Sequence, residues 1–233
     1  MSAPARTSAP PSSDKPQSVV EQASLISGEV WAPRRVDLVL RGLDLLIAGT
    51  ALIVLSPLLG LLALATLITS GRPVLYRGER VGRAGHIFTM YKLRTLKPGA
   101  EDRLGNTYGE ELSRRTEQEV TLVGRAARLT HIDEVPQLWN VICGDMSMVG
   151  PRPVRPAFFQ RLCEEVPQYW QRLVVRPGVT GFAQTRITRE DSWEDKLIHD
   201  LEYIADRSVR LYLRVLSATV TRIARLTLRG RAR

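Results

Sequence analysis

Residues 45–71 read LLIAGTALIVLSPLLGLLALATLITSG, and no charged residue lies between Asp44 and Arg72. A helix rises 1.5 Å per residue, so roughly 25 apolar residues are enough to cross the ~30 Å hydrocarbon core of a bilayer. Ser56-Pro57 stands at the middle of this run. Because a proline in a helix interior removes a donor and clashes with the preceding turn, at about 3 kcal/mol, the sequence predicts a break there.

Arginines flank the apolar run on both sides; they are Arg34, Arg35 and Arg41 before it and Arg72, Arg77, Arg80 and Arg83 after it. Cytoplasmic flanks collect Lys and Arg, so two basic flanks favour placing both ends on the cytoplasmic side. The sequence therefore predicts a re-entrant membrane helix over residues 34–72, a helix-break-helix hairpin that enters one leaflet and returns. A kinked spanning helix is the alternative. A secretory signal peptide does not fit, because the run starts too far from the N-terminus.

Composition points to one modest cytosolic domain beside this membrane segment. Residues 1–33 are rich in Ser, Pro and Ala, which predicts a disordered tail. The net charge of +9 fits an anionic membrane surface or nucleic acid. Nucleic acid is not an expected partner, since the chain has no zinc-ligand spacing, helix-turn-helix pattern or aromatic–basic interleaving. Two cysteines, Cys143 and Cys163, fit a reducing cytosol.

The C-terminal segment, residues 207–233, has eight arginines and no acid. An apolar stripe opposes the arginines and consists of Leu213, Leu216, Val220 and Ile223. This pattern is typical of an amphipathic helix at a membrane interface. A basic helix packed on its own domain is the alternative. Between this helix and the membrane segment, residues 73–206 would form the cytosolic domain.

A β-hairpin is predicted directly after the membrane segment. Residues 73–76 and 86–91 are apolar and aromatic, and a glycine-rich loop separates them. Nearby basic residues indicate anion binding at this hairpin; they are Arg80, Arg83, Lys92 and Arg94. An arginine face on anionic lipid is the alternative. Further along, the sequence predicts helices over about 154–165 and 193–206, with a loop at 176–181.

The densest chemistry lies between Arg128 and Pro153, where Asp133 and Glu134 are adjacent and Arg128 and Arg152 flank them. One interpretation is structural, with Asp133 capping a helix and Glu134 in its first turn. The other is catalytic, with one carboxylate attacking a phosphorus centre while its neighbour holds Mg²⁺. Arg128 and Arg152 could each bind a phosphate, because the planar guanidinium donates two parallel hydrogen bonds.

Taken together, the motifs between about Arg34 and Leu216 closely resemble those of the bacterial sugar transferase family, the small monotopic phosphoglycosyl transferases. The marks are the basic-Asp-apolar-Ser-Pro segment, Tyr76-Arg77 with Arg80 and Gly82, residues 88–95, residues 128–140, Gly144 to Pro153, residues 177–181 with Ala183-Gln184, and Tyr203-Ile204.

The resemblance implies an α+β, mainly helical domain at the cytoplasmic face of the bacterial inner membrane, attached to a re-entrant helix. It implies transfer of a phosphosugar from a nucleotide sugar, usually UDP-linked, to polyprenol phosphate, with release of UMP, at the first membrane step of glycoconjugate or exopolysaccharide assembly. By that resemblance Asp133 is the nucleophile and Glu134 the Mg²⁺ ligand. Arg128 would hold a phosphate, while Lys92, Arg94 and Arg152 would line the nucleotide-sugar site. A homodimer is compatible with the sequence.

Several positions depart from the family pattern. Gly78 replaces a usual glutamine, His131 a usual serine, and residues 117–119 and 185–188 also differ. None is in the carboxylate pair, so the departures bear on the identity of the donor sugar rather than on the reaction. A scaffold that recruits other enzymes is the non-enzymatic alternative. A multi-pass transferase would need more apolar spans than this chain has.

Overall fold

The computed structural model describes residues 34–104, 109–186 and 192–230, and the fold in these ranges is mainly helical with two small sheets, which confirms the predicted class. The helices are α1 (Arg35–Ser70), α2 (Ala100–Leu104), α3 (Gly109–Glu119), α4 (Leu122–Thr130), α5 (Gln137–Cys143), α6 (Pro156–Glu165), α7 (Phe182–Arg186), α8 (Trp193–Asp206) and α9 (Val209–Gly230). The strands are β1 (Leu75–Val81), β2 (Ile87–Leu93), β3 (Ser147–Val149) and β4 (Gly178–Thr180). The predicted disordered tail, residues 1–33, lies outside the described residues.

Helix α1 contains the apolar run and continues through Pro57, so the predicted break at Ser56-Pro57 is not seen. The Ser56 hydroxyl donates to the Ile53 carbonyl at 2.8 Å. Ile53 is four residues before Pro57, so its carbonyl is the one that a proline leaves without a backbone donor. This side-chain bond offsets part of the expected cost, and the re-entrant hairpin stays a prediction. By length and composition α1 could cross a membrane.

One face of α1 belongs to the interior of the domain. Leu40, Asp44 and Ala48 are buried at four-residue spacing, and Leu40 and Ala48 each join a hydrophobic cluster with residues from later in the chain. The opposite face exposes large apolar side chains, among them Leu38, Leu46, Ile53, Val54, Leu61 and Ile68. Water is a poor solvent for a continuous face of this kind, and a lipid surface is a good one.

Asp44 connects three elements from its position in α1. One carboxylate oxygen accepts hydrogen bonds from the Ser147 hydroxyl at 3.0 Å, the Met148 backbone N–H at 2.8 Å and the Tyr212 hydroxyl at 2.8 Å. Asp44 is 2 % exposed, so its charge depends on these donors. The hydrogen bonds fix α1 against β3 and α9.

Charged side chains also hold α1 close to its beginning. Near the first turn, Arg207 Nε donates to Asp37 Oδ1 at 2.7 Å. One helical turn later, Arg41 donates to the carbonyls of Val141 and Ile142 at 2.6 and 3.0 Å, and so caps the C-terminus of α5.

The β-hairpin prediction is confirmed. Strands β1 and β2 pair antiparallel, with Tyr76 opposite Lys92 and Val81 opposite Ile87. The turn lies at residues 82–86, so Gly78 is inside β1 rather than in the loop.

A second, parallel pair of strands was not predicted. Residues 178–180, expected as a loop, form β4 against β3. The two backbones approach so closely at Gly150 and Gly178 that a Cβ on Gly178 would lie 2.1 Å from the Gly150 nitrogen. Three-residue strands leave no alternation to recognise, and glycine in the pattern indicated only a turn.

The later helices match their predictions closely, with α6 at Pro156–Glu165 and α8 at Trp193–Asp206. They pack around Phe159, Leu162 and Tyr169 in a separate hydrophobic cluster. The C-terminal helix α9 begins at Val209 and packs Tyr212 and Val215 into the core, while Leu213 and Val220 of the predicted stripe are exposed. Its first half therefore behaves as a helix of the domain, and its interfacial role stays a prediction.

Candidate active site

The carboxylate pair lies in a tight turn between two helices. Helix α4 is capped by the Thr121 hydroxyl and ends at Thr130, where His131 takes a left-handed conformation with φ 56°. This reversal leads into a single 3-10 turn, Ile132–Glu134, that contains the pair. Helix α5 begins only at Gln137, so Asp133 does not cap it. The predicted role of Asp133 as a helix cap is thereby wrong.

Lys92 reaches Glu134 from the hairpin. Its Nζ donates to Glu134 Oε1 at 2.6 Å, and both side chains are about one-fifth exposed, at 19 % and 20 %. An ammonium so close to a carboxylate, with little water around it, favours the ionised form of Glu134. The structure thus brings together two residues that were predicted as site members from segments far apart in sequence.

The surroundings shift the pKa values of the two carboxyl groups in opposite directions. Burial, and then the neighbouring Glu134 charge, raise the pKa of Asp133, although Lys92 and Arg128 oppose them. Burial also favours the neutral form of Glu134, but Lys92 and Arg152 outweigh it and lower its pKa below the usual 4.5. The two shifts are therefore opposite: the site favours the charged form of Glu134, whereas Asp133 is harder to ionise, and so more basic, than an ordinary aspartate.

Arg128 is placed beside the pair by α4. Its Nε donates to the Thr95 hydroxyl at 2.9 Å, which fixes the direction of the guanidinium, and its charge lowers the pKa of Asp133. Thr95 was not predicted as a site residue. It follows β2 closely, and only the folded contact with α4 reveals that it orients Arg128.

Arg152 approaches from the loop after β3. It is exposed, and its charge stabilises ionised Glu134. Backbone pairing of Val81 with Val154, at 3.0 Å, holds this loop against the end of β1. Arg80 lies near enough to Arg152 and Arg155 for repulsion which, together with burial, lowers its pKa. Several guanidinium groups close together favour a multiply charged anion.

Arg94 has a different set of partners from the other predicted residues. Its Nη2 donates to the carbonyls of Ser70 and Gly71 at 2.8 and 2.7 Å, at the C-terminal end of α1. A place in the nucleotide-sugar site stays a prediction for this residue.

Asn140, which carries no charge, is a further residue that sequence reasoning did not assign. It is 1 % exposed, accepts from the Tyr91 N–H at 3.1 Å and donates to the Thr89 carbonyl at 2.7 Å. These bonds fasten β2 to α5 and so set the position of Lys92 relative to the pair. An amide inside a helix pattern gives no signal of such a role before the fold is known.

The donor set is compatible with magnesium. Among the residues that the structure describes, no cluster of three or more His, Cys, Asp or Glu side chains could hold a metal alone. Mg²⁺ usually binds through one or two carboxylates and the phosphates of a substrate, retaining several waters. An ionised Glu134 next to Asp133 supplies that kind of partial site.

An apolar helix packed on a small domain, together with a carboxylate pair and nearby arginines, is an arrangement suited to binding phosphates close to a lipid surface. The family model described as bacterial sugar transferase matches residues 36–225, and the chain belongs to this family. This confirms the resemblance drawn from the motifs.

Three relatives show the range within the family. The UDP-N-acetylgalactosamine-undecaprenyl-phosphate N-acetylgalactosaminephosphotransferase of Aeromonas hydrophila is 34 % identical over 78 % of this chain and 43 % of the relative. The UDP-glucose:undecaprenyl-phosphate glucose-1-phosphate transferase of Caulobacter vibrioides is 38 % identical over 79 % of this chain and 69 % of the relative. The exopolysaccharide production protein PSS of Rhizobium leguminosarum bv. phaseoli is 35 % identical over 79 % and 94 %. The chain thus spans less than half of the first relative.

Proposed function

We propose that this protein transfers a phosphosugar from a UDP-sugar to polyprenol phosphate, releasing UMP, on the cytoplasmic face of the bacterial inner membrane. The observation that carries the proposal is the Asp133–Glu134 pair, with Lys92 bound to Glu134 at 2.6 Å and Arg128 beside Asp133. Relatives named for undecaprenyl-phosphate transfer of N-acetylgalactosamine phosphate and glucose phosphate support the reaction class.

The first step is nucleophilic attack by an Asp133 carboxylate oxygen on the sugar-bearing phosphorus. The new O–P bond forms as the bond to the bridging oxygen of the diphosphate breaks, and UMP leaves with that oxygen. The phosphosugar remains on Asp133 as an acyl phosphate. In the second step a phosphate oxygen of the polyprenol phosphate attacks the same phosphorus, which restores the Asp133 carboxylate. No proton is required at Asp133 in either direction.

A covalent carrier suits two anionic substrates. A nucleotide diphosphate from the cytosol and a lipid phosphate from the bilayer repel each other if both are bound at once. Splitting the transfer into two steps removes that repulsion. Arg128 and Arg152 would hold the phosphates, since each guanidinium can donate two parallel hydrogen bonds.

Glu134, with Asp133 beside it, would hold Mg²⁺ against the donor diphosphate. A bound magnesium ion would neutralise charge on the leaving UMP. Lys92 would keep Glu134 ionised until donor and metal arrive.

The monotopic arrangement draws support from the attachment of α1. Near the beginning of α1, Asp37 pairs with Arg207. At the end of α1, the carbonyls of Ser70 and Gly71 accept hydrogen bonds from Arg94. Both partners belong to the same packed body, which cannot lie on two sides of a bilayer. We therefore place both ends of α1 in the cytoplasm, with the exposed apolar face in one leaflet.

The test is mass spectrometry of the intact protein after mixing with a UDP-sugar and Mg²⁺ in the absence of acceptor. We expect UMP release close to one per enzyme and a mass increase equal to one phosphosugar, both lost in Asp133→Asn. Asn keeps the shape of the side chain and removes the like charge next to Glu134, so that variant should fold. Robust turnover with acceptor but no adduct without it would reject the covalent step, and no turnover with any UDP-sugar would reject the function.

A further inference from the structure

Arg94 occupies the junction between α1 and the candidate active site. It is 9 % exposed, and its Nη2 bonds both Ser70 and Gly71 carbonyls within 2.8 Å. The last carbonyls of a helix have no partner within the helix, and α1 has no basic residue in its own last turn. Arg94, which lies outside α1, supplies the positive charge that the C-terminal end of this helix lacks.

The same short segment of chain carries two other links to the site. Two residues before Arg94, Lys92 binds Glu134 at 2.6 Å, and one residue after it, Thr95 accepts from Arg128 at 2.9 Å. The Arg94 backbone N–H also donates to the Val74 carbonyl at 2.9 Å, which closes the short connection from α1 to β1. The end of α1 is therefore connected to the carboxylate pair through one short bonded segment, residues 92–95.

The position is maintained at an energetic cost. Within the part of the chain that the structure describes, the buried Nε and Nη1 of Arg94 have no hydrogen-bond partner. Burying unpaired donors of a charged group is unfavourable, because their hydration is lost and no protein acceptor replaces it. A guanidinium kept in such a place needs a benefit beyond stability.

We propose that Arg94 is a positioning residue for the lipid-acceptor half of the reaction, because it holds the carboxylate pair at a set depth relative to the bilayer. The inference rests on the proposed function. The donor arrives from the cytosol and needs no such depth, whereas the acceptor phosphate is confined to the headgroup plane. Loosening the junction should therefore impair the second step and spare the first.

The experiment uses the full chain in nanodiscs of phosphatidylethanolamine and phosphatidylglycerol, with Arg94→Met and Arg94→Lys. Arg103→Met is the matched control, because Arg103 is half exposed and pairs with Glu119 at 2.7 Å away from the junction. Three quantities are measured: the UMP burst without acceptor, and kcat/KM for undecaprenyl phosphate in the bilayer and for a short, water-soluble prenyl phosphate. Hydrogen exchange over residues 66–74 reports the junction without reference to activity.

For Arg94→Met we expect a roughly 100-fold loss of kcat/KM with the bilayer acceptor, as misplacement of reacting groups by about 1 Å can produce. The UMP burst and kcat/KM with the soluble acceptor should each fall by less than about threefold, because neither depends on depth in the bilayer. Exchange over residues 66–74 should accelerate. Arg94→Lys should fall between, since an ammonium can still bond a carbonyl, and Arg103→Met should match the wild type.

Equal losses with both acceptors, or a lost burst, would overturn the inference and assign Arg94 to substrate binding or general stability. Unchanged kinetics would overturn it as well. If Arg94→Met fails to fold, Arg94→Lys is used instead. It should show the same difference between the bilayer and the soluble acceptor, with a smaller loss of kcat/KM. A wild type without turnover would reject the proposed function, and unchanged exchange in Arg94→Lys would then overturn the inference independently.

Discussion

At the scale of single residues, adjacent carboxyl groups differ because their neighbours differ. Burial favours the neutral form of both Asp133 and Glu134, which share one turn. It outweighs the nearby cations at Asp133, whereas Lys92 and Arg152 outweigh it at Glu134. A pair with separated proton affinities can assign one member to nucleophilic attack and the other to charge stabilisation. The motif showed the pair, but only the folded contacts show that the pKa of Asp133 is raised and that of Glu134 lowered.

Lys92→Met should move the acidic limit of activity to higher pH. Lys92 lowers the pKa of both carboxyl groups, so its removal raises them. A nucleophile with a raised pKa is protonated, and inactive, at a higher pH. UMP release without acceptor, measured as a function of pH, should decline earlier on acidification than in Lys97→Met, an exposed lysine on the same segment. An unchanged acidic limit would show that Lys92 does not control the pair.

Arg128→Lys should lower turnover by roughly 100-fold, the usual loss when one preorganised donor to a reacting phosphate is removed. A lysine keeps the charge but cannot both bond Thr95 and present a planar fork to phosphate. Arg125→Lys, three residues earlier on the exposed side of α4, is the control. Steady-state rates at saturating donor measure the effect, and a fully active Arg128→Lys would remove Arg128 from the site.

At the scale of elements, the sequence pattern predicted helices α6 and α8 and the β-hairpin but missed the three-residue strands β3 and β4. Helices α6 and α8 and the hairpin were predicted from sequence because apolar spacing and turn residues mark them locally. The β3–β4 pair was missed because three-residue strands give no period and are formed by contact between distant glycines. The partner of Arg94 was missed for a related reason, since nothing local indicates that a side chain after a strand will cap a distant helix.

The three-element contact at Asp44 should dominate the stability of the packed helices. Asp44→Ala leaves the buried donors of Ser147, Met148 and Tyr212 without an acceptor, at about 3 kcal/mol or more. Thermal unfolding in detergent should occur roughly 6–12 °C lower. Asp206→Ala, at an exposed position, should leave the transition unchanged. A similar midpoint for both variants would mean that the buried carboxylate is dispensable.

At the scale of the whole molecule, topology depends on the middle of α1. Replacing Ser56-Pro57 with two leucines restores the backbone donor that Pro57 lacks and makes the middle of the continuous helix α1 more apolar, which should move a fraction of molecules into a spanning orientation. Cysteines introduced at Val30 and Glu79, with Cys143 replaced by serine, report the orientation through an impermeant thiol reagent in intact cells. We expect both sites to be protected in the parent protein. External labelling of Val30 alone in the parent would contradict the monotopic arrangement.

The burial of Leu40 and Ala48 has a practical consequence for making a water-soluble form. Deleting the anchor would excise part of two hydrophobic clusters together with the Asp44 carboxylate, so a truncated protein should misfold or aggregate rather than dissolve. A soluble form would instead require polar substitutions on the exposed face of the intact helix α1, at positions such as Leu46, Ile53 and Ile68. Helix α1 is therefore also part of the folded core, and a soluble variant has to keep it.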